Sequence, residues 1–405
     1  MSSFVLDKIS MVENPIAETS HIAEQLEKNG KHVLRFSIGD PAAYFKTPEY
    51  ILSAYKLALE NHKTAYSDWK GNETLRKAIA SRYKDLYNVD YNPENIQITQ
   101  GVSEALQFIN MSLIEKNTKA IIIAPFFTQY LPYILMEGGE PILSFHDFSN
   151  NWNIDTESIK EKIKNAGKNK PKYILVTNPN NPTGTAPSEK SLKEVVEIAK
   201  DNDIFLISDE IYDEILYNNT KFISVSSLAK GVPHMILNGA SKNLIATGFR
   251  IGFCITPEDD KKSVSLRNSI SILSNSRLSA NTPAQYAVAE GISNKVEHKK
   301  AVTDFIRQVE KRSALSYKLS QESAFLKVIK PNSAFYIFPQ IGLNILKINT
   351  DKEFVELLLK EEHLQVIRGS GFGMPGFIRM VTLPSEDKIT EAFSRIEKFC
   401  IRHKK

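Results

Sequence analysis

Lys242 and Arg250 lie among small and apolar residues, in the segment NGASKNLIATGFRIGF that spans residues 238–253. A buried cation is unfavourable without a partner, so this placement indicates a bound group for each side chain. Desolvation lowers the pKa of a lysine and frees an amine that can attack an aldehyde. The planar arginine fork fits a phosphate or a carboxylate. Considered singly, a solvent-reaching lysine and an ion-paired arginine are the commoner interpretations.

Further polar and aromatic residues follow other apolar runs. Gly101 follows the run NIQIT and permits a tight turn into a helical segment. The N–H groups of Val102 and Ser103, with the Ser103 hydroxyl, would then face an anion at a helix N-terminus. The other members of this set are Phe127, Tyr130, Asn181, Asp209 and Tyr212. Each residue alone also has an ordinary interpretation, as a helix cap, a core aromatic or part of a surface turn.

Together these residues match the chemical groups of one cofactor, pyridoxal phosphate. Its aldehyde needs a lysine, and Lys242 is the candidate for the imine. A carboxylate must face its pyridine nitrogen, so that the protonated ring can accept charge, and Asp209 is the candidate. Its phosphate needs a helix N-terminus and an arginine such as Arg250, and an aromatic face covers its ring. The sequence therefore predicts a pyridoxal phosphate site in which both cations have partners.

The elements that must hold these residues alternate along the chain. From about Glu49 to about Pro257, apolar runs rich in β-forming residues alternate with helical patterns. Continuous apolar runs are typical of a mostly parallel sheet whose two faces are covered by helices. Ligands bind outside the carboxyl ends of such strands, so the polar residues would converge there. We therefore expect an α/β fold with a large cofactor-binding domain over residues 46–290.

A smaller α+β domain is expected over residues 291–405. It begins with a long charged helical stretch, residues 294–321, and continues with short strands and two helices. Residues 1–45 are punctuated by Gly and Pro and are expected to complete this domain. The sequence GSGFG (residues 369–373) could be taken for a dinucleotide loop, but a strand follows it where a helix would be needed. We interpret it as a turn that positions Arg379.

Composition narrows the classes of protein and partner. A chain of 405 residues with 42% hydrophobic and 24% charged residues is typical of a globular protein of about two domains. The net charge is only +4, without an extended basic block, so nothing favours nucleic acid or a membrane as partner. Two cysteines cannot form a disulfide framework or a four-cysteine zinc site. The N-terminus lacks the pattern of a signal peptide, and a cytoplasmic location is expected.

The motifs also resemble a known family, the class I/II pyridoxal phosphate aminotransferases of fold type I. The resemblance covers nearly the whole chain, and the joint order and spacing of its motifs are specific. The motifs are IGDP (38–41), AYSDWKGNETLRKAIA (65–80), QGVSEA (100–105), NPNNPTG (178–184), SDEIYDEI (208–215) and SKNLIATGFRIG (241–252).

The resemblance implies roles for the individual cofactor-site residues. Lys242 would form the imine and move the proton, Asp209 would pair with the pyridine nitrogen, and Tyr212 would bind the phenolic oxygen with Asn181. Phe127 would stack on the ring, where many relatives have Tyr or Trp. The implied phosphate ligands are Val102, Ser103, Arg250 and, from the neighbouring subunit of a homodimer, Tyr66. Many relatives have a hydroxyl residue three positions before the lysine, where this chain has Gly239.

The resemblance extends to the substrate. Arg379 in FIRMVTL matches the arginine that binds the α-carboxylate, with Asn181 and Gly39 also contacting the substrate. RLSANTPAQYA (277–287) and the stretch around GSGFG resemble the alanine aminotransferase branch. This implies a ping-pong transfer from a small L-amino acid, alanine first, to 2-oxoglutarate. Arg277 is the candidate for the distal carboxylate of 2-oxoglutarate, although a surface ion pair is an equal alternative.

Other functions remain as alternatives at this stage. On the same fold, the chain could be an aspartate, aromatic or broad-specificity aminotransferase, or a pyridoxal phosphate C–S lyase. A regulator that senses the cofactor would need a DNA-binding segment before the IGDP motif, and this motif already occurs at Ile38.

Overall fold

The computed structural model describes residues 14–258 and 260–405 of the chain. The first 13 residues of the predicted N-terminal segment, and Asp259, lie outside the described residues. Strands and helices alternate from residue 96 to residue 255, as the apolar pattern predicts. The expected α/β fold class is therefore confirmed.

The bounds of the regular elements are as follows. The strands, in chain order, are β1 Leu34–Arg35, β2 Ile96–Thr99, β3 Lys119–Ala124, β4 Glu140–Asp147, β5 Asn153–Ile154, β6 Tyr173–Thr177, β7 Phe205–Asp209, β8 His234–Gly239, β9 Gly252–Ile255, β10 Leu326–Lys327, β11 Tyr336–Ile337, β12 Gln340–Ile341, β13 Leu364–Gln365, β14 Ile367–Arg368 and β15 Ile378–Val381. The helices are α1 Pro15–Lys28, α2 Glu49–Glu60, α3 Glu73–Tyr87, α4 Gly101–Leu113, α5 Tyr130–Met136, α6 Thr156–Ala166, α7 Glu189–Asn202, α8 Val225–Leu228, α9 Lys261–Arg277, α10 Thr282–Ser293, α11 Lys295–Glu322, α12 Asp351–Glu362 and α13 Glu386–Arg402.

The central sheet has the strand order β2-β9-β8-β7-β6-β3-β4-β5. The neighbours from β8 to β4 are parallel, whereas β9 is antiparallel to both β2 and β8, and β5 is antiparallel to β4. Because the reversed strand β9 lies between β2 and β8, these two strands point the same way. The carboxyl ends of β2, β3, β6, β7 and β8 therefore meet at one edge, where the predicted site residues follow them.

Both faces of this sheet are buried. Along β3, Ile121 and Ile123 pack into one hydrophobic cluster, and Ile122 and Ala124 pack into a second cluster on the opposite face. Helices α2, α3, α7 and α10 contribute to the first cluster, and α4, α5 and α9 contribute to the second. Burial on both faces explains why these strands are continuous apolar runs in the sequence.

Local capping signals set several helix boundaries. Helix α7 begins after Ser188, whose hydroxyl accepts a hydrogen bond from the Ser191 N–H at 3.2 Å. The long helix predicted for residues 294–321 is α11, and the Asn294 side chain caps it by accepting from the Glu297 N–H at 3.3 Å. Both helices therefore begin directly after a residue whose side chain caps the first turn.

The C-terminal part contains short strands packed with α11, α12 and α13. Strands β11, β15 and β14 form an antiparallel sheet, and the GSGFG segment forms a short 3₁₀ turn between β14 and β15. Strand β1 pairs in parallel with β13, so the segment before residue 45 packs against the C-terminal part. The division of the chain at residues 45 and 290 stays a prediction.

In the described part of the chain, every helix is too short or too polar to cross a membrane.

Candidate active site

A cavity of about 250 Å³ lies at the carboxyl edge of the central sheet, and residues from the N-terminal segment and the C-terminal part close it. The predicted site residues that line it are Gly39, Val102, Ser103, Phe127, Asn181, Asp209, Tyr212, Lys242, Arg250 and Arg379. Other lining residues, which had no individual role in the sequence analysis, include Ile16, Ile38, Tyr130, Thr177, Ser241, Thr247 and Tyr336. The sheet and the C-terminal part thus bring ten of the twelve predicted residues together.

Lys242 lies three residues beyond the end of β8. Its Nζ donates a hydrogen bond to the carbonyl oxygen of Gly39 at 2.6 Å. Burial lowers the pKa of this amine to about 8, and the charge of Asp40 partly opposes the effect. Near neutral pH a useful fraction of Lys242 is therefore the free amine, the form that attacks an aldehyde.

Asp209 is the last residue of β7 and is almost completely buried. Its Oδ2 accepts a hydrogen bond from the Tyr130 hydroxyl at 2.7 Å, and its Oδ1 accepts one from the Ile211 N–H at 3.3 Å. Burial raises the pKa of Asp209 to about 6, and these two hydrogen bonds oppose the rise. At neutral pH Asp209 is therefore mostly ionised, as a partner of a protonated nitrogen must be.

The N-terminus of α4 and Arg250 lie beside each other in the lining of the cavity. Gly101 opens α4 with a φ of +74°, and a Cβ at this position would lie 2.5 Å from Nη2 of Arg250. Glycine thus leaves room for the guanidinium beside the start of the helix, where the first N–H groups are those of Val102 and Ser103. Arg250 itself donates to the Thr247 carbonyl oxygen at 3.0 Å.

Close packing explains why Gly239 stands where many relatives have a hydroxyl residue. A Cβ at Gly239 would lie 2.7 Å from the backbone oxygen of Ile251 on the adjacent chain segment. A serine or threonine would not fit here without a backbone shift. Ser241, one residue before Lys242, instead presents a hydroxyl residue to the cavity.

Arg379 on β15 is 1% exposed. Its Nη1 donates to Oδ1 of Asn181 at 3.1 Å, and its Nη2 donates to the carbonyl oxygen of Ser37. Its Nε is buried without a hydrogen-bond partner, and no acidic side chain of the described chain lies within ion-pair distance of Arg379. A buried arginine with an unused donor is suited to an anionic ligand.

Tyr336 on β11 lines the cavity next to Tyr212 and Arg379, although no sequence motif pointed to it. Its hydroxyl lies 2.8 Å from the hydroxyl of Tyr212, and its ring faces the Arg379 guanidinium at 5.1 Å. A Cβ at Gly39 would overlap the Tyr336 hydroxyl, so glycine is required there. The only signal in the sequence was an aromatic residue in a short apolar strand, which is also typical of a core residue.

Two predicted residues lie outside the cavity. Tyr66 is 79% exposed at the surface. Nη1 of Arg277 lies 3.4 Å from Oε2 of Glu104, and its Nη2 donates to the Ile98 carbonyl oxygen at 3.4 Å. Within one subunit the structure therefore shows the ion pair that was the alternative interpretation of Arg277.

The family model for aminotransferase class I and II matches residues 31–396 of the chain. The chain belongs to this family. The fold and the family inferred from the motifs are thereby confirmed, and this aminotransferase is a pyridoxal phosphate enzyme, as its family is.

Individual relatives are similar over almost their whole length. A probable aspartate/prephenate aminotransferase of Aquifex aeolicus is 32% identical over 378 residues, which cover 93% of each chain. A glutamate–pyruvate aminotransferase of Escherichia coli is 31% identical over 382 residues, covering 93% of this chain and 92% of the relative. The solved structure of an alanine aminotransferase from Pyrococcus furiosus has a TM-score of 0.93 at 34% identity, covering 98% of this chain and 100% of the other.

The cavity of this aminotransferase fits pyridoxal phosphate chemically. Three cations, Lys242, Arg250 and Arg379, line it together with the buried carboxylate of Asp209. The space that Gly101 leaves beside Arg250 fits a phosphate at the start of α4. The unused Nε of Arg379 leaves a donor for a second anion, such as the carboxylate of an amino acid.

Proposed function

We propose that this aminotransferase moves the amino group of a small L-amino acid, alanine first, to 2-oxoglutarate in a ping-pong reaction, as a homodimer. The observation that carries the proposal is the buried Arg379, whose Nε has no hydrogen-bond partner, in a cavity whose lining includes the apolar residues Ile16 and Ile38. An α-carboxylate satisfies the arginine, and a methyl side chain suits the apolar part of the lining.

In this proposal, different residues bind the different chemical groups of pyridoxal phosphate. Val102, Ser103 and Arg250 hold the phosphate, and Tyr212 and Asn181 contact the phenolic oxygen. Asp209 pairs with the ring nitrogen, and Phe127, which lines the cavity, covers a ring face. When bound, the cofactor supplies an aldehyde that condenses with amines and a ring that accepts charge from the substrate carbon.

The chain's own residues then orient the substrate and move the proton. Arg379 and Asn181 fix the α-carboxylate, which directs the Cα–H bond of the substrate toward the lysine side of the cavity. Lys242 Nζ would take the proton from Cα of the donor and give it up to the bound cofactor within the same half-reaction, and in the second half-reaction it would deliver a proton to Cα of the new amino acid. Its pKa of about 8 suits both steps, because neither protonation state is strongly disfavoured near neutral pH.

The charges of the site support alanine over aspartate as donor. Among the described residues that line the cavity, the cations are Lys242, Arg250 and Arg379, and the cofactor and the α-carboxylate engage all three. No further cation of the same subunit remains there for the side chain of aspartate. The distal carboxylate of 2-oxoglutarate needs one, and Arg277 stays our candidate because its Nε is buried without a hydrogen-bond partner.

A dimer interface with a second copy of the chain would bury a set of exposed apolar side chains. The exposed large side chains are Tyr66 and Trp69 on the loop after α2, Ile272 on α9 and Leu278 just beyond α9. The Trp69 indole joins the loop to α9 by donating to Ser271 Oγ at 3.1 Å. Neighbouring exposed apolar side chains are typical of an interaction site. A homodimer through these side chains would let Tyr66 reach the phosphate site of the other subunit.

A panel of amino donors tests the proposal. The purified enzyme with pyridoxal phosphate is assayed with L-alanine, L-aspartate, L-glutamate and L-phenylalanine, against 2-oxoglutarate and pyruvate. We expect kcat/KM with 2-oxoglutarate to be highest for alanine, with pyruvate and glutamate formed in equal amounts. A higher kcat/KM for aspartate or phenylalanine would contradict alanine as the preferred donor. Release of ammonia and a thiol from a cysteine conjugate when no oxo acid has been added would indicate a C–S lyase.

A further inference from the structure

Tyr130 is the middle member of a buried series of hydrogen bonds at the cavity wall. It opens helix α5, is 1% exposed, and places its hydroxyl 2.7 Å from Oδ2 of Asp209 and 3.0 Å from Oγ1 of Thr177. From the sequence, Tyr130 counts among the residues that match the cofactor, with a core aromatic as its ordinary interpretation. The hydroxyl nevertheless contacts the one carboxylate that lines the cavity in the described chain.

The direction of these hydrogen bonds follows from the groups involved. An ionised carboxylate can only accept, so the Tyr130 hydroxyl donates to Asp209. Its oxygen is then free to accept the hydroxyl proton of Thr177. Burial raises the pKa of Tyr130 well above its usual value, so Tyr130 keeps the proton that it donates. The hydrogen bonds are therefore donated in one direction, from Thr177 to Tyr130 and from Tyr130 to Asp209.

Tyr130 and the backbone of Ile211 together fix the carboxylate on both sides. Oδ1 of Asp209 receives the Ile211 N–H and Oδ2 receives the Tyr130 hydroxyl, so the carboxylate plane cannot turn without breaking a hydrogen bond. The ring of Tyr130 also meets the ring of Phe127 edge to face, with centroids 5.6 Å apart. One residue thus supports the carboxylate and the ring that lines the cavity beside it.

We propose that Tyr130 is a positioning residue that acts through Asp209: it orients this carboxylate toward the ring nitrogen of the cofactor and keeps it charged. The inference rests on the proposed role of Asp209. A hydrogen bond to the ionised form opposes protonation, so without Tyr130 the carboxylate takes up a proton at higher pH.

The test compares Tyr130→Phe with Tyr173→Phe. Tyr173 is a matched control because it is equally buried, donates its hydroxyl to Oδ1 of Asn110 at 2.8 Å, and does not line the cavity. The affinity of the apoenzyme for pyridoxal phosphate is measured from pH 5.5 to pH 8.5, with the melting temperature as a check on folding. These pH limits are chosen to lie on either side of the pKa of about 6 for Asp209.

We expect Tyr130→Phe to weaken cofactor binding by roughly tenfold at the acid end, as for loss of one hydrogen bond to a charged group. The loss should shrink as pH rises, because Asp209 then ionises without help. Tyr173→Phe should keep the wild-type affinity over the whole range. Equal affinities for the two variants, or a loss in Tyr130→Phe that does not depend on pH, would overturn the inference.

A double-mutant cycle separates this inference from the proposed function. In an Asp209→Ala background, Tyr130→Phe should cause no further loss of affinity, because its effect passes through the carboxylate. Additive losses would overturn the positioning role. If Asp209→Ala itself binds the cofactor as tightly as the wild type at neutral pH, the proposed role of Asp209 fails. If Asp209→Ala weakens binding and Tyr130→Phe does not, only the inference about Tyr130 fails.

Discussion

The amine of Lys242 donates its hydrogen bond to Gly39, across the junction between the central sheet and the N-terminal segment. Lys242 follows β8 of that sheet, whereas Gly39 follows β1, which pairs with β13 of the C-terminal part. Asp40, beside Gly39, accepts a hydrogen bond from the Thr247 hydroxyl at 2.6 Å, in the loop that also carries Lys242. The reactive amine is thus held where the two parts of the chain meet.

The position of Lys242 predicts selective labelling by the cofactor. We expect borohydride reduction of the holoenzyme, followed by peptide mapping, to mark Lys242. With the apoenzyme, the rate of labelling should rise with pH and level off above about 8, because burial lowers the pKa of this amine to that value. Lys190 is a control within the same sample, since its side chain is 88% exposed. Preferential labelling of another lysine would contradict the assignment.

Arg379→Lys tests the binding of the α-carboxylate. Lysine keeps the charge but loses the planar fork, so we expect kcat/KM to fall by roughly a hundredfold, as for one partner of a buried charge pair. The loss should be similar for alanine, aspartate and glutamate, because they share the α-carboxylate. The affinity for pyridoxal phosphate should stay near the wild-type value. A loss confined to aspartate and glutamate would instead place Arg379 at the distal carboxylate.

Gly101→Ala tests the space beside Arg250. The φ of +74° makes alanine unfavourable by about 1 kcal/mol, and the new Cβ would also meet the Arg250 guanidinium. Gly231→Ala is a matched control, since Gly231 has the same φ and nothing within 4 Å of an added Cβ. We expect both variants to lose similar free energy of unfolding in chemical denaturation.

Only Gly101→Ala should also weaken pyridoxal phosphate binding, by about tenfold or more, if the phosphate is held between Arg250 and α4. Cofactor titration of the two apoenzymes measures the difference. Unchanged cofactor affinity in Gly101→Ala would argue against this phosphate site.

The sequence predicted those parts of the fold and site in which residue type and chemistry are closely linked. Lys242 lies in apolar surroundings and Asp209 follows an apolar run, so their chemistry was visible before their neighbours were known, whereas the role of Arg379 was implied only by the resemblance to the family. Tyr130 and Tyr336 could not be distinguished from core aromatics, because their roles depend on hydroxyl partners from distant segments. The sequence also could not predict that β9 is antiparallel to its two neighbours, because an apolar run indicates that a strand is buried but not which way it points.

Arg277→Ala tests whether this arginine binds the distal carboxylate of 2-oxoglutarate. Within one subunit Arg277 pairs with Glu104 outside the cavity, but the 3.4 Å separation and the unpartnered Nε indicate a weak pair. We expect Arg277→Ala to lower kcat/KM for glutamate and 2-oxoglutarate by at least about tenfold more than for alanine and pyruvate, because only the five-carbon acids carry a second carboxylate. Glu104→Gln, which removes the ion pair and keeps the arginine, should leave this ratio unchanged. Parallel losses for all four substrates in Arg277→Ala, with a similar fall in melting temperature in both variants, would mean that the ion pair is only structural.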